Sequence, residues 1–258
     1  MRAYLSLAFI ILGISVFTGA DAEAQTSRCA DCHVANQQTA APLWSGFALR
    51  HLHDWESSPH ARANVGCDRC HGGDPTTFEK FQAHMSMLPV TSPASPVNRV
   101  NLPRTCGACH SGPFVAFQKS KHYELARAGD DRGPTCSTCH GEVAAHLLSP
   151  RSLENQCARC HGAGRPQANP DYPASARMLL TDIRELRSEL DDAGSIIRRI
   201  RDKSARAKFE EARQQAEVPL TEATQAGHEF VFTNLKERLE SARRRVTALM
   251  DALANRAP

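Results

Sequence analysis

The sequence has little of what usually builds a globular core. Aromatic residues make up 6% of its 258 positions, with only two tryptophans and three tyrosines. Before Pro170 the apolar residues form no long periodic run, so a conventional hydrophobic core there would be thin. After residue 17 no stretch is apolar enough to cross a bilayer, which takes about 20 residues. Neither charge is in large excess: 31 Lys and Arg stand against 28 Asp and Glu, a net charge of +3. Nucleic-acid binding calls for a clustered basic face, so a nucleic-acid partner is not expected.

The first 25 residues, MRAYLSLAFIILGISVFTGADAEAQ, have a positive start at Arg2 and an apolar stretch over residues 3–17. Small residues flank Asp21 and Glu23. This is the pattern of a secretory signal peptide. It predicts cleavage after Ala24, signal residues 1–24 and a periplasmic mature protein.

What the chain does have is one pattern, repeated. Cys-x-x-Cys-His occurs at Cys29, Cys32 and His33; at Cys67, Cys70 and His71; at Cys106, Cys109 and His110; at Cys136, Cys139 and His140; and at Cys157, Cys160 and His161. These five copies use all ten cysteines. At this composition chance supplies about 0.02 copies over the whole chain, and the pattern is the attachment signature of c-type haem. Two thiols take up the porphyrin vinyl groups and the adjacent His becomes an axial iron ligand. Zinc would need cysteines in fours, or pairs completed by two histidines, with no His required after each pair. A redox dithiol appears once, in a βαβ context that is missing here. An even cysteine count in an exported protein also suits a disulfide framework, but that leaves the five histidines unexplained. The expected cofactors are five covalently bound haem c groups. They would supply the apolar bulk that residues 25–170 lack.

The chain changes character near Pro173. Residues 25–170 are rich in Pro, Gly, Ser and Thr, and segments such as 89–103 (PVTSPASPVNRVNLP) read as loop. Beyond it, Leu179, Ile183, Leu186, Leu190, Ala193, Ile197 and Ile200 step by four and three, as do Leu235, Leu239, Ala242, Val246, Leu249 and Leu253. These are heptad seams. The fold class expected is mainly α: a haem-packed domain of short helices and loops over 25–170, then a long C-terminal helical hairpin over 171–258. Within the hairpin a shorter helix is expected around 205–216, with Pro219 opening a new one. The hairpin would serve as structural packing, a homodimer contact or a docking surface.

Twelve histidines less the five in the motifs leave seven: His51, His53, His60, His84, His122, His146 and His228. Each iron wants a second axial nitrogen. Ser58-Pro-His60 and Ser120-Lys-His122 both stand upstream of a motif that continues with Gly, and His84 and His146 follow those motifs. This reads as a duplicated two-haem unit plus one, and it nominates His60, His84, His122 and His146 as distal ligands. For the fifth, His53 is preferred over His51, with His228 as a further candidate.

The repeated Cys-x-x-Cys-His with interleaved Ser-x-His resembles multihaem c-type cytochromes. Residues 25–170 are similar to pentahaem electron carriers and cytochrome c554-like modules. The long helices after them resemble the C-terminal part of pentahaem nitrite reductases and octahaem hydroxylamine oxidoreductases. In that group a ligand His precedes an Asn. Here Phe232 or Thr233 takes that place in GHEFVFTN, and His228 lies about one turn earlier. Nitrite reductases of the group carry Lys at the catalytic haem, whereas all five sites here end in His.

The resemblance implies electron transfer between redox partner proteins, including those of a membrane respiratory complex, through mostly bis-His haems. The alternative is a multihaem reductase or oxidase of a small nitrogen or sulfur compound at one open haem. Lys119, Lys121 and Arg127 would then be the basic cluster beside it.

Overall fold

The computed structural model describes residues 28–33, 46–143 and 148–256. Among these residues there is no β-strand. Short helices fill the first part: α1 (28–33), α2 (Gly46–Ser57), α3 (Pro59–Arg62), α4 (Asp68–His71), α5 (Lys80–Ala83), α6 (Leu102–Gly107), α7 (Ser111–Phe117), α8 (Lys121–Arg127), α9 (Cys136–His140) and α10 (Pro150–His161). Three long helices follow: α11 (Asp171–Arg198), α12 (Lys203–Ala226) and α13 (Phe232–Ala254). A single 3-10 turn, Gly227–Glu229, joins the last two.

The short helices start where local chemistry allows. Ser58, Ser120 and Ser149 are extended N-cap residues whose hydroxyls accept from the amides of Ala61, Tyr123 and Ser152. Each satisfies a helix-end donor that would otherwise lack a partner. After Cys67–His71 and Cys136–His140 the chain turns at Gly72 and Gly141, with φ of 77° and 79°. That left-handed backbone is natural for glycine and strained for other residues.

Buried apolar side chains are few in this part. They are Leu52, Ala116, Phe117 and Ala126 among the described residues, and every other one lies in or next to the three long helices. The thin-core expectation rests on the same scarcity of apolar periodicity.

The C-terminal unit differs from the expected hairpin in one respect. The middle helix is not a short connector but 24 residues long, and Pro219 lies inside it. Each of α11, α12 and α13 packs on the other two. Pro219 has no amide to give the Gln215 carbonyl, which weakens a helix interior. Ala216, Leu220 and Ala223 are nevertheless buried around it, and Ala205, Phe209 and Ala212 continue the stripe. Packing of this face holds the helix through the proline. Alanine makes up most of the stripe, so its hydrophobic periodicity is faint in the sequence. Leu186, Leu190, Ala193 and Ile197 meet Leu239, Ala242, Val246 and Leu249 in one core. The heptad seams therefore close on each other within the chain.

Candidate haem sites

In each Cys-x-x-Cys-His motif the three side chains fall at i, i+3 and i+4. A single helical turn brings those positions to one face. Backbone bonds from His71 to Cys67 O (2.9 Å) and from His110 to Cys106 O (2.9 Å) show that turn in two copies. Among the described residues all ten cysteines are free thiols.

Each motif histidine faces one histidine from elsewhere in the chain. Ring centres are 6.1 Å apart for His33 and His84, 5.8 Å for His71 and His51, 5.9 Å for His110 and His60, 6.2 Å for His140 and His228, and 6.0 Å for His161 and His122. Two imidazoles on opposite sides of one metal would have ring centres about 6.2 Å apart, from metal–nitrogen bonds of about 2 Å and a ring centre about 1.1 Å behind each nitrogen. Ordinary ring contacts span about 4.5–7 Å, so one such distance decides nothing. The arrangement recurs at all five motif histidines, each with a separate partner.

Hydrogen bonds set the tautomers. Nδ1 of His84, His161, His60 and His228 lies 2.7, 2.8, 3.0 and 3.2 Å from the carbonyls of Lys80, Gln167, Val143 and Gln225. A carbonyl can only accept, so Nδ1 carries the proton and Nε2 keeps the lone pair that binds metal. Burial pushes His33, His71, His122 and His228 below the usual imidazole value, and the facing imidazole adds to the effect in each case. The shift favours the neutral imidazole, the form that ligates metal.

The residues fit a group that brings its own equatorial nitrogens. Each site would offer such a group two imidazoles, with two thiols beside the motif histidine. No cluster of three or more His, Cys, Asp or Glu able to hold a bare ion occurs among the described residues. Burial pushes Cys67 and Cys157 up to about 11, away from the depressed values of redox-exchange thiols, while a hydrogen bond with Cys106 lowers Cys136. Thioether attachment of haem is what the motif geometry accommodates.

Of the distal candidates, His60, His84, His122 and His228 each face a motif histidine. His53 does not: its side chain is 81% exposed and lies 3.9 Å from Asp54. Its neighbour His51 takes the place opposite His71. Two residues on a helix are about 200° apart, so only one of them can look inward. His51 shares its face with Trp55, four residues on, whose indole NH donates to Val65 O at 3.0 Å. That apolar anchor was the sequence signal for choosing His51. His146 lies outside the described residues.

The Ser-x-His echo has a mechanical reason. Ser58 and Ser120 donate their hydroxyls to Trp55 O and Phe117 O, both at 2.7 Å, while capping the next helix. Their amides bond the same carbonyls at 2.9 Å. Both serines thus reverse the chain in the same way, and both place a histidine at the second helical position. His60 and His122 each skip the following motif and face the one after it.

Two of the three basic residues of the alternative reading, Lys119 and Lys121, lie in ion pairs. Lys119 bonds the buried Glu229 at 2.8 Å, and Lys121 pairs with Glu124. Tyr123 packs edge-on against Phe114 and Phe117. Tyr172 lies against His161, ring centres 5.3 Å apart.

Residues 94–162 match the family model for cytochrome c7 and related cytochrome c. This segment holds the third, fourth and fifth motifs. The multiheme cytochrome MtrA of Shewanella baltica (strain OS185) is 26% identical over 147 residues, 56% of this chain and 34% of the relative. The C-type polyheme cytochrome OmcC of Geobacter sulfurreducens (strain ATCC 51573 / DSM 12127 / PCA) is 24% identical over 133 residues, 52% of this chain and 14% of the relative. The match thus spans about a third or less of these relatives' lengths. No solved structure matches the chain.

Proposed function

We propose that the chain is a periplasmic electron carrier holding five covalent haem c groups, each ligated by two histidines. The observation that carries this reading is the one-to-one pairing of every motif histidine with a second imidazole. When bound, haem supplies an iron that takes up and releases one electron, with a potential set by its ligands, burial and nearby charge. The chain's residues would hold that iron through two imidazole nitrogens at each site, from the pairs His33–His84, His51–His71, His60–His110, His140–His228 and His122–His161. The Nδ1 hydrogen bonds keep four of those rings from turning. Little then has to move when an electron arrives or leaves.

The sites follow one another in chain order, which supports a linear relay. The amide of Arg28, beside the first motif, donates to Pro75 O just after the second at 3.3 Å. His51 and His60, at the second and third sites, sit on the consecutive helices α2 and α3. Helix α6 of the third motif packs on α9 of the fourth, and thiols Cys106 and Cys136 are hydrogen-bonded. The turn bearing His228 at the fourth site also touches His122 at the fifth.

A catalytic reading would need one motif histidine with no imidazole opposite it, and each of the five has one. Residues 25–170 form the haem domain, and 171–258 form a helical unit that packs on it and supplies one ligand. The partners would be redox proteins, including those of a membrane respiratory complex.

The test is haem stoichiometry by intact mass together with low-temperature EPR of the oxidised protein. Five haems, all low-spin, are expected. A stoichiometric high-spin iron would overturn the closed-carrier reading in favour of a substrate-binding site.

A further inference from the structure

His122 differs from the other distal histidines. His60, His84 and His228 set Nδ1 on a backbone carbonyl, and Nδ1 of His51 lies 3.5 Å from a Glu142 carboxylate oxygen, whereas Nδ1 of His122 is buried with no hydrogen-bond partner among the described residues. Among the described residues nothing polar fixes the rotation of its ring. What touches the ring instead is Phe230, with centres 4.6 Å apart and planes at 71°. This is edge-to-face geometry, in which the positive rim of one ring meets the negative face of the other.

Phe230 is held there against its own backbone preference. Its φ is 55° and its ψ 27°, a left-handed conformation that a bulky residue rarely adopts. Such strain persists only where the surroundings over-determine it. Here they do. Phe117 packs on the ring of Phe230 at 6.3 Å. The preceding Glu229 is buried on Lys119, and His228 before it faces His140. On the far side of the same site, Phe232 packs on Tyr172 at 5.6 Å, and Tyr172 packs on His161.

We propose that Phe230 is a positioning residue that sets the ring orientation of His122, so that one turn of the C-terminal unit ligates the fourth site and orients a ligand of the fifth. This rests on the reading that His122 and His161 are the axial pair of one haem. The two imidazole planes stand 41° apart. That angle governs the splitting of the iron d orbitals, so a free ring would alter the EPR signal and potential of that site alone.

The test is Phe230→Gly in the full-length holoprotein. Glycine accepts the left-handed backbone, so the turn survives while the ring is lost. Phe230→Tyr is the conservative control. Phe230→Leu, which keeps apolar bulk, replaces the glycine variant if that one is not exported. His122→Ala identifies the EPR signal of the fifth site. Phe230→Gly should shift or broaden that signal and move one potential, with five haems retained, the other four signals unchanged and the Tyr variant like the parent. A glycine variant with the parent's spectrum and potentials would overturn the positioning role. So would equal disturbance of all five sites, which would mark Phe230 as general packing. A parent protein lacking five low-spin haems would instead overturn the proposed function.

Discussion

His228 and His140, 88 positions apart in the chain, lie with ring centres 6.2 Å apart and planes within 21° of each other. One belongs to the turn between the last two long helices and the other ends the fourth motif. The C-terminal helices therefore bring an imidazole to the fourth motif as well as forming a scaffold. The bond from His228 Nδ1 to Gln225 O, the last turn of α12, aims the ring.

Replacing His228 by alanine should open one iron and leave four closed. EPR of the oxidised variant should show one new high-spin signal at one iron per protein. Replacing His53, whose side chain is 81% exposed, should leave the spectrum unchanged. A high-spin signal in the His53 variant instead would reverse the assignment of the second site.

The five ring pairs differ in twist, and the difference should be visible. His51 and His71 stand at 89°, His140 and His228 at 21°. Perpendicular rings leave two iron d orbitals nearly degenerate and give a low-spin signal of large maximal g. Near-parallel rings split those orbitals and give an ordinary rhombic signal. Oxidised protein should show both kinds, and His51→Ala should remove the large-g species. If His228→Ala removes it, the twist assignment is wrong.

Ser120 caps the helix that carries His122, with its hydroxyl bonded to Phe117 O and to the Tyr123 amide. Ser120→Ala loses both bonds in a site only 2% exposed. The expected loss is about 0.5–2 kcal/mol of stability, read as a lower thermal midpoint by circular dichroism. One low-spin signal should broaden with it, because the cap sets where His122 begins its helix. Ser58→Ala should do the same at the third site. A spectrum untouched in both variants would mean the serines cap without aiming the ligands.

Leu220 is fully buried between α11 and α13, one residue after Pro219, whereas Val218 on the same helix is 57% exposed. Leu220→Ala should cost about 2–5 kcal/mol, and Val218→Ala close to nothing. Chemical denaturation followed at the helical signal separates the two. Equal and small effects would show that residues around Pro219 do not pack as a third helix.

The attachment motifs were legible because their chemistry is local. Two thiols and an imidazole at i, i+3 and i+4 need only one helical turn, and that spacing is written in consecutive residues. The Ser-x-His echo was legible for the same reason: a serine that caps a helix fixes the histidine two places on. The heptad seams of α11 and α13 stood out because leucine, isoleucine and valine mark them. The stripe of α12 did not, because alanine marks most of it and Pro219 reads as a break. That helix persists because its neighbours bury its face.

Which histidine meets which motif was decided by tertiary structure alone. His60 passes over the second motif to reach the third, and His122 passes over the fourth to reach the fifth. His84 turns back to the first, and His228 returns from the far end of the chain. No local rule ranks such pairings, since each depends on where distant helices come to rest. By itself the sequence determined five attachment turns and a helical C-terminus, because both follow from neighbours along the chain. The fold decided the partners of those turns, the choice of His51 over His53 and the left-handed Phe230. All three depend on packing between segments remote in sequence.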